Sequence, residues 1–217
     1  MRTHSSLGDS LALATSRAVT WLSDEPARRV PATRPAPPLI LYEFEACPFC
    51  RRVREALDAL DLEAEIRPCP KGGRRYRPEA IARGGRPQFP YLVDPSTSVA
   101  LYESSDIVSY LYGRYALGAT APRRRPAWLG TVGSALRGGR GSRAHASRAP
   151  VERLILTSAE SNPEARLVRE LLCELELVHL SRRADPSGPP ILDDANASAS
   201  AVGWRQIREH LERHYAL

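Results

Sequence analysis

The sequence predicts an α/β protein built as two tandem copies of one small domain, with the second copy shortened. Three observations carry that prediction. Between Leu39 and Tyr115 the apolar pattern alternates between strand-like runs and helix-like stripes. A later segment repeats the opening of this region without a gap. A basic stretch rich in Gly, Pro and Arg lies between the two.

The elements follow in order. Residues 1–38 hold a weak amphipathic stretch, Leu7 to Leu22, and then the Pro-rich PARRVPATRPAPP. Ser16, Arg17 and Thr20 interrupt its apolar run, so it makes a poor signal-peptide core; an N-terminal helix with an extended arm is expected rather than a transit peptide. Pro37-Pro38 opens LILYEF, a buried strand. From Cys50 a helical period begins, with Val53, Ala56, Leu57, Leu60 and Leu62 on one face. Ala64–Arg67 reads as a second strand, CPKGGRR as a loop, and Arg77–Ala82 as a short helix stopped by Gly84-Gly85. Phe89–Val93 and Val99–Tyr102 are strands three and four, and Asp106–Tyr115 the last helix of a domain spanning 39–117.

The repeat is specific. LILYEFEACPFCRRVREALDALDL (39–62) and LILTSAESNPEARLVRELLCELEL (154–177) agree at 12 of 24 positions. The matches include Pro48 with Pro163, Arg51 with Arg166, and Val53-Arg54-Glu55 with Val168-Arg169-Glu170. Later echoes pair Ile107, Leu111 and Tyr115 with Ile207, Leu211 and Tyr215. Too few residues separate Leu180 from Pro190 for a second helix in the later copy, which occupies 151–217.

Charge is unevenly spread. The chain of 217 residues carries a formal net charge of +6. Segments 1–38, 39–117, 118–150 and 151–217 contribute +2, 0, +7 and −3. The excess therefore sits in a linker, 118–150, with one short helix expected around Ala127–Leu136. Apart from Trp128 this linker has no aromatic residue interleaved with its arginines, so no nucleic-acid partner is expected. No apolar run is long enough to span a membrane, and four unevenly spaced cysteines make no disulfide framework. These features suit a reducing, cytoplasmic setting with no membrane partner.

Cys47-Pro48-Phe49-Cys50 lies between a strand and the first turn of a helix. Unpaired backbone N–H groups and the helix dipole favour a thiolate on Cys47 there, and Arg51 and Arg52 act in the same direction. A lowered thiol pKa improves Cys47 both as nucleophile and as leaving group, while Cys50, one turn along, can resolve a mixed disulfide. Zinc would need two further ligands, and no second Cys pair or Cys–His pair has suitable spacing. An iron–sulfur site assisted by a small thiol, or two buried structural thiols, use the same residues and stay open at this level.

LYEFEACPFCRRVREALDAL, with QFPYLVDP and ALYESSDIVSYL after it, resembles the N-terminal, thioredoxin-like domain of the glutathione transferase superfamily. CPFC is similar to the motif of dithiol glutaredoxins, and the whole pattern resembles bacterial and chloroplast proteins with tandem copies of that domain. The resemblance implies a four-stranded mixed sheet flanked by helices in each copy. It implies Cys47 as attacking thiol and Cys50 as resolving thiol, with glutathione as cosubstrate. Pro90 after Phe89 matches the family's cis-proline, and the Phe89 backbone would pair with the cysteinyl part of glutathione. Glu103 and Ser104 match the acidic–serine pair that holds the γ-glutamyl end, although Ser104 or Ser105 also suits a helix cap. Pro48 and Phe49 complete the motif, and Arg51 and Gln88 are candidates for the glycine carboxylate.

The second copy departs where the chemistry sits. Asn162 replaces Cys47, Ala165 replaces Cys50, and Gly203-Trp204 replace Glu103-Ser104; Pro163 and a cis-proline candidate, Pro190, survive. Cys173 is expected in the core, Cys69 as an exposed spectator, and His210 with His214 on a solvated helix face. The expected reaction is glutathione-linked thiol–disulfide exchange, with glutathione or another small thiol as reductant and protein disulfides among the substrates. A glutathione transferase or isomerase of the prostaglandin-synthase type, and a non-enzymatic adaptor, are the competing readings.

Overall fold

The computed structural model describes residues 6–23, 30–122 and 139–217. The helix expected around Ala127–Leu136 lies outside them. The described elements are α1 (Ser6–Ser23), β1 (Leu39–Glu43), α2 (Pro48–Ala59), β2 (Ala64–Pro68), α3 (Tyr76–Gly84), β3 (Tyr91–Asp94), β4 (Val99–Tyr102) and α4 (Ser104–Tyr115). They continue with β5 (Leu154–Thr157), α5 (Pro163–Glu174), β6 (His179–Arg182), β7 (Ile191–Asp194), β8 (Ala199–Val202) and α6 (Gly203–Tyr215).

All strands belong to one mixed sheet of order β4-β3-β1-β2-β6-β5-β7-β8. Exchanging the halves, β1 with β5 through β4 with β8, leaves that order unchanged. Within each half the first two strands pair in parallel and the others antiparallel. The expected pair of four-stranded sheets is joined edge to edge by the antiparallel pairing of β2 with β6, where Glu65 faces Leu180. Each half thereby covers an edge that would otherwise expose unpaired backbone groups.

Strand alternation sorts the core. Leu39 and Leu41 of β1 pack with Val53, Leu57, Ile107 and Leu111 under α2 and α4. Tyr42 turns to the opposite face with Tyr91 and Ala80, beneath α3. Leu154, Leu156, Val168, Leu172, Ile207 and Leu211 repeat the first arrangement in the second half. A fully buried leucine contributes about 1.5–3 kcal/mol, so these two clusters dominate stability. No helix covers the opposite face between β6 and β7, as the short spacing there predicts. At each C-terminal helix an aspartate at a strand end ties helix to sheet. Asp94 accepts from Tyr110 at 2.6 Å and from Tyr115, while Asp194 accepts from Tyr215 at 2.7 Å and meets His210 Nε2 at 2.8 Å. His210 is thus buried against a carboxylate, correcting the expected solvated face.

The described end of the linker, 139–150, is docked through its backbone. Gly141 N donates to Glu174 at 2.8 Å, Ala144 N to the Lys71 carbonyl at 3.0 Å, and Arg148 N to the Tyr215 carbonyl at 2.8 Å. Arg140, Arg143 and Arg148 are themselves exposed. Gly141 has φ +71, and a Cβ there would stand 2.8 Å from the Glu45 Cβ, so both conformation and space demand glycine.

Between the two apolar clusters runs a buried polar seam. Arg54 of α2 contacts Glu43, Glu45 at 2.9 Å and Glu160 at 3.2 Å. Arg169 of α5 contacts Glu45 at 3.3 Å and Glu160 at 3.3 Å. Arg54 with Arg169, and Glu45 with Glu160, are equivalent positions of the two halves. The charges pair across the seam in a near-symmetric quartet, with Glu43 as its fifth member.

Candidate active site

The topology gathers the expected site at one end of the sheet. β1 ends there and the chain turns through Phe44–Ala46 into Cys47; β3, antiparallel to β1, begins there after Phe89-Pro90; β4, antiparallel to β3, ends there at Glu103. The Phe89–Pro90 peptide is cis, as the motif implies. Phe89 packs edge-on against Phe44 with ring centroids 6.3 Å apart.

Cys47 is the N-cap of α2, with Pro48 opening the first turn, where its missing N–H costs nothing. Its Sγ accepts from Cys50 N at 3.3 Å. The Cys47 thiol is pulled down to about 7, first by the hydrogen bond from the Cys50 thiol, then by the amides of Cys50 and Phe49 and the charge of Arg54, against the cost of burial. Burial pushes the Cys50 thiol well up, reinforced by the bond to Cys47 and by the charges of Cys47 and Glu43. The pair therefore divides into a thiol ionised near neutrality and one that holds its proton. The cation acting on Cys47 is Arg54 rather than Arg51 or Arg52, which corrects the expectation. Arg51 points along the seam and pairs with Glu55 at 3.1 Å.

Phe49 is 45% exposed, while Cys47 is only 5% exposed, so the aromatic ring is the most accessible part of the motif. Pro48, Gln88 and Phe89 are half-buried, Pro90 and Ser104 buried, and Glu103 exposed. Gln88 Nε2 donates to Glu103 Oε1, which places Gln88 beside the acidic–serine pair, while Arg51 lies on the α2 face that meets the second half. Glu103, not Ser104 or Ser105, is the N-cap residue of α4, and its side chain makes no capping bond. It holds φ 63, a region costly for a residue with a side chain. The equivalent residue, Gly203, has φ 75 at no such cost.

The remaining thiols are buried. Cys69 is fully buried in the loop after β2, its amide bonded to the Glu43 carbonyl at 2.6 Å; this corrects the expected exposed spectator. Cys173 is buried, as expected, and donates to the Gly141 carbonyl at 3.3 Å. Burial raises the pKa of both.

Sequence reasoning passed over four residues. Glu43, Arg54 and Glu160 meet only because the halves fold together, although the repeat alignment matches Glu45 with Glu160 and Arg54 with Arg169. Arg77, on α3, lays its guanidinium 4.9 Å over the Phe89 ring and donates to the Cys69 carbonyl at 2.9 Å, beside the groove.

In the second half the corresponding place is filled. Asn162 caps α5, and Ser16 of α1 donates to the Pro163 carbonyl at 2.8 Å. A cavity of about 320 Å³ remains between α1 and the start of α6, lined by Ser10, Leu13, Glu164, Trp204 and Gln206. Among the described residues only Ala36–Pro37 and Phe89–Pro90 are cis, so Pro190 does not keep the cis bond considered for it.

No helix among the described residues is long and apolar enough to cross a membrane. No curated protein and no solved structure gives a match to the chain. Residues 41–122 match the family model of the glutathione S-transferase N-terminal domain, a span that includes Cys47, Cys50, Pro90, Glu103 and Ser104. This part of the chain is therefore a domain of the glutathione S-transferase N-terminal, thioredoxin-like type.

Proposed function

We propose that the protein is a glutaredoxin-like thiol–disulfide oxidoreductase that uses glutathione. One observation carries this reading: Cys47 stands at a helix N-terminus with a lowered pKa, and Cys50, one turn on, keeps its proton. The Cys47 thiolate attacks one sulfur of a disulfide or glutathionylated thiol, and the departing sulfur leaves as a thiolate. Cys50 then loses its proton and attacks the Cys47 sulfur, closing an internal disulfide and expelling the bound substrate sulfur as a thiolate. Alternatively, where Cys47 carries a glutathionyl group, a glutathione thiolate attacks that group's sulfur, forming oxidised glutathione and releasing the Cys47 thiolate. Two glutathione molecules supply the two electrons when the substrate is a disulfide, and one suffices for a glutathionylated thiol, which itself contributes the other half of oxidised glutathione.

Glu103 and Ser104 would hold the γ-glutamyl end, the Phe89 backbone the cysteinyl unit, and Pro48, Phe49 and Pro90 the walls of the groove. Gln88 would act through Glu103, and Arg51 remains a candidate for the glycine carboxylate only if the seam opens to it. The strain accepted at Glu103, and relieved by glycine at the equivalent site without thiols, supports a ligand role for its side chain. The strand order and the repeat support two tandem copies, the second serving as a structural partner.

Conjugation of glutathione to a small electrophile is the second reading, because the same groove would serve it. The described chain continues the sheet after α4 instead of building an all-helical substrate domain. Reduction of a glutathionylated peptide, assayed beside conjugation of a generic aryl halide, separates the two. Reductase activity lost in Cys47→Ser supports the proposal; conjugation that survives Cys47→Ser while reduction is absent overturns it.

A further inference from the structure

Where the halves meet, three carboxylates share two guanidinium groups. Glu43, Glu45 and Glu160 converge on Arg54, and Arg169 bridges Glu45 with Glu160. All five side chains are at most 8% exposed, so water does little to screen their charges. Arg51 and Arg166 add to Arg54 and Arg169 around Glu160, whereas Glu43 meets Arg54, which it shares with Glu45 and Glu160. The carboxyl with the least cationic support lowers its cost by keeping a proton. Glu43 is that group. Burial, Glu45 and Glu160 push it up to about 7 against the pull of Arg54.

Glu43 lies on β1 under α2, and its charge acts on both Cys47 and Cys50. Of the cluster, Glu45 and Arg169 face one another across the seam, and His179 of β6, whose pKa is depressed by burial, feels Arg54 and Arg169. Cys69 after β2 and Cys173 of α5 also feel the Glu43 charge, and Arg51 of α2 and Arg166 of α5 bear on the seam through Glu160.

We propose that Glu160, supplied by the half that has no thiol pair, is a positioning residue for the thiol site: by competing with Glu43 for Arg54 it keeps a proton on Glu43 beneath Cys47 and Cys50. The half without the thiol pair then acts on the chemistry of the other half through the seam. With Glu160 removed, Glu43 would share Arg54 with Glu45 alone and ionise more readily, and its negative charge would oppose the Cys47 thiolate. A direct effect of Glu160 has the opposite sign, because deleting a carboxylate favours a nearby thiolate.

The test is the ultraviolet absorbance of thiolate against pH in the full chain. Near neutrality this signal reports Cys47, since the other three thiols are shifted upward. In Glu160→Gln the Cys47 midpoint rises and the thiolate fraction at neutral pH falls roughly twofold. In a Glu43→Gln background the same Glu160→Gln change lowers the midpoint, because only the direct effect is left. Glu63→Gln removes a different bridge between the halves, Arg182–Glu63 at 2.9 Å, and leaves the midpoint where it was. If Glu160→Gln does not fold, Glu160→Asp withdraws the carboxylate and shifts the midpoint the same way. A midpoint that stays or falls in Glu160→Gln, or an equal rise in Glu63→Gln, overturns the proposal. The inference concerns the thiol site of the proposed reaction, but its readout needs no turnover, so a chain inactive as an oxidoreductase would still decide it.

Discussion

Cys47 and Asn162 cap equivalent helices in the same backbone conformation, φ −80 and ψ 117 for Cys47, φ −76 and ψ 124 for Asn162. Asn162 Oδ1 accepts from Glu164 N at 2.8 Å and Ala165 N at 2.9 Å. In the first half the Cys50 amide reaches the Cys47 sulfur instead, at 3.3 Å. The same fold position therefore serves capping in one half and thiolate stabilisation in the other.

Asn162→Ala should lower stability by about 1 kcal/mol, the usual cost of losing an N-cap, with turnover unaffected. The urea midpoint and the reductase rate, measured on one preparation, check both parts. Loss of reductase activity at full occupancy of the folded state would give Asn162 a part in the reaction.

The largest influence lowering the Cys47 pKa is the Cys50 thiol. Cys50→Ala should raise the Cys47 midpoint above about 7, whereas Cys50→Ser keeps a donor and should move it less. Iodoacetamide alkylation rates against pH, with Cys47 identified by mass spectrometry, give the comparison. Cys50→Ser should also accumulate mixed disulfides through Cys47.

Glu103→Gly places the residue of the second half in the first. Relief of φ 63 should stabilise the fold by about 1 kcal/mol. Loss of the carboxylate should raise the KM for glutathione about tenfold, the worth of one charged hydrogen bond. A stabilised variant with unchanged KM would remove Glu103 from the binding groove.

His179 is buried, its pKa lowered from 6.5 to about 4 by burial first and then by Arg169 and Arg54, while its Nδ1 meets the Leu177 carbonyl at 3.1 Å. Below pH 6.5 the unfolded chain takes up a proton that the folded chain refuses, so this residue costs stability progressively as pH falls toward 4. The loss reaches at most about 3 kcal/mol. Comparing urea unfolding of the wild type and His179→Gln across that range isolates the effect from the carboxylates, and His179→Gln should show the shallower decline.

Much of the fold is legible in the chain because it is written locally. Leu39, Leu41 and the stripe from Val53 to Leu60 carry their periods in adjacent residues, and the repeat at 154–177 transfers that reading to the second half. Cys47 and Cys50 are readable for the same reason, since the motif stands at an element boundary that the pattern locates, whereas Pro90 and Glu103 are singled out by the family resemblance. The burial of His210 and Cys69 is not legible locally because it depends on what packs against them: Asp194 for one, and the cluster under α3 for the other. Arg54, Glu43 and Glu160 read as ordinary charged residues until the halves are joined.

The sequence by itself determined the element order, the thiol pair, and the Asn162 and Ala165 that stand in the matching positions of 154–177, because short-range spacing encodes all three. Only the tertiary structure decided that the strands of the two regions join through β2 and β6, and that three buried carboxylates contact Arg54 and Arg169 beneath the thiols. Electrostatic energy in a dry seam depends on distances between groups more than 100 residues apart, as from Arg54 to Glu160, and no local pattern records those distances.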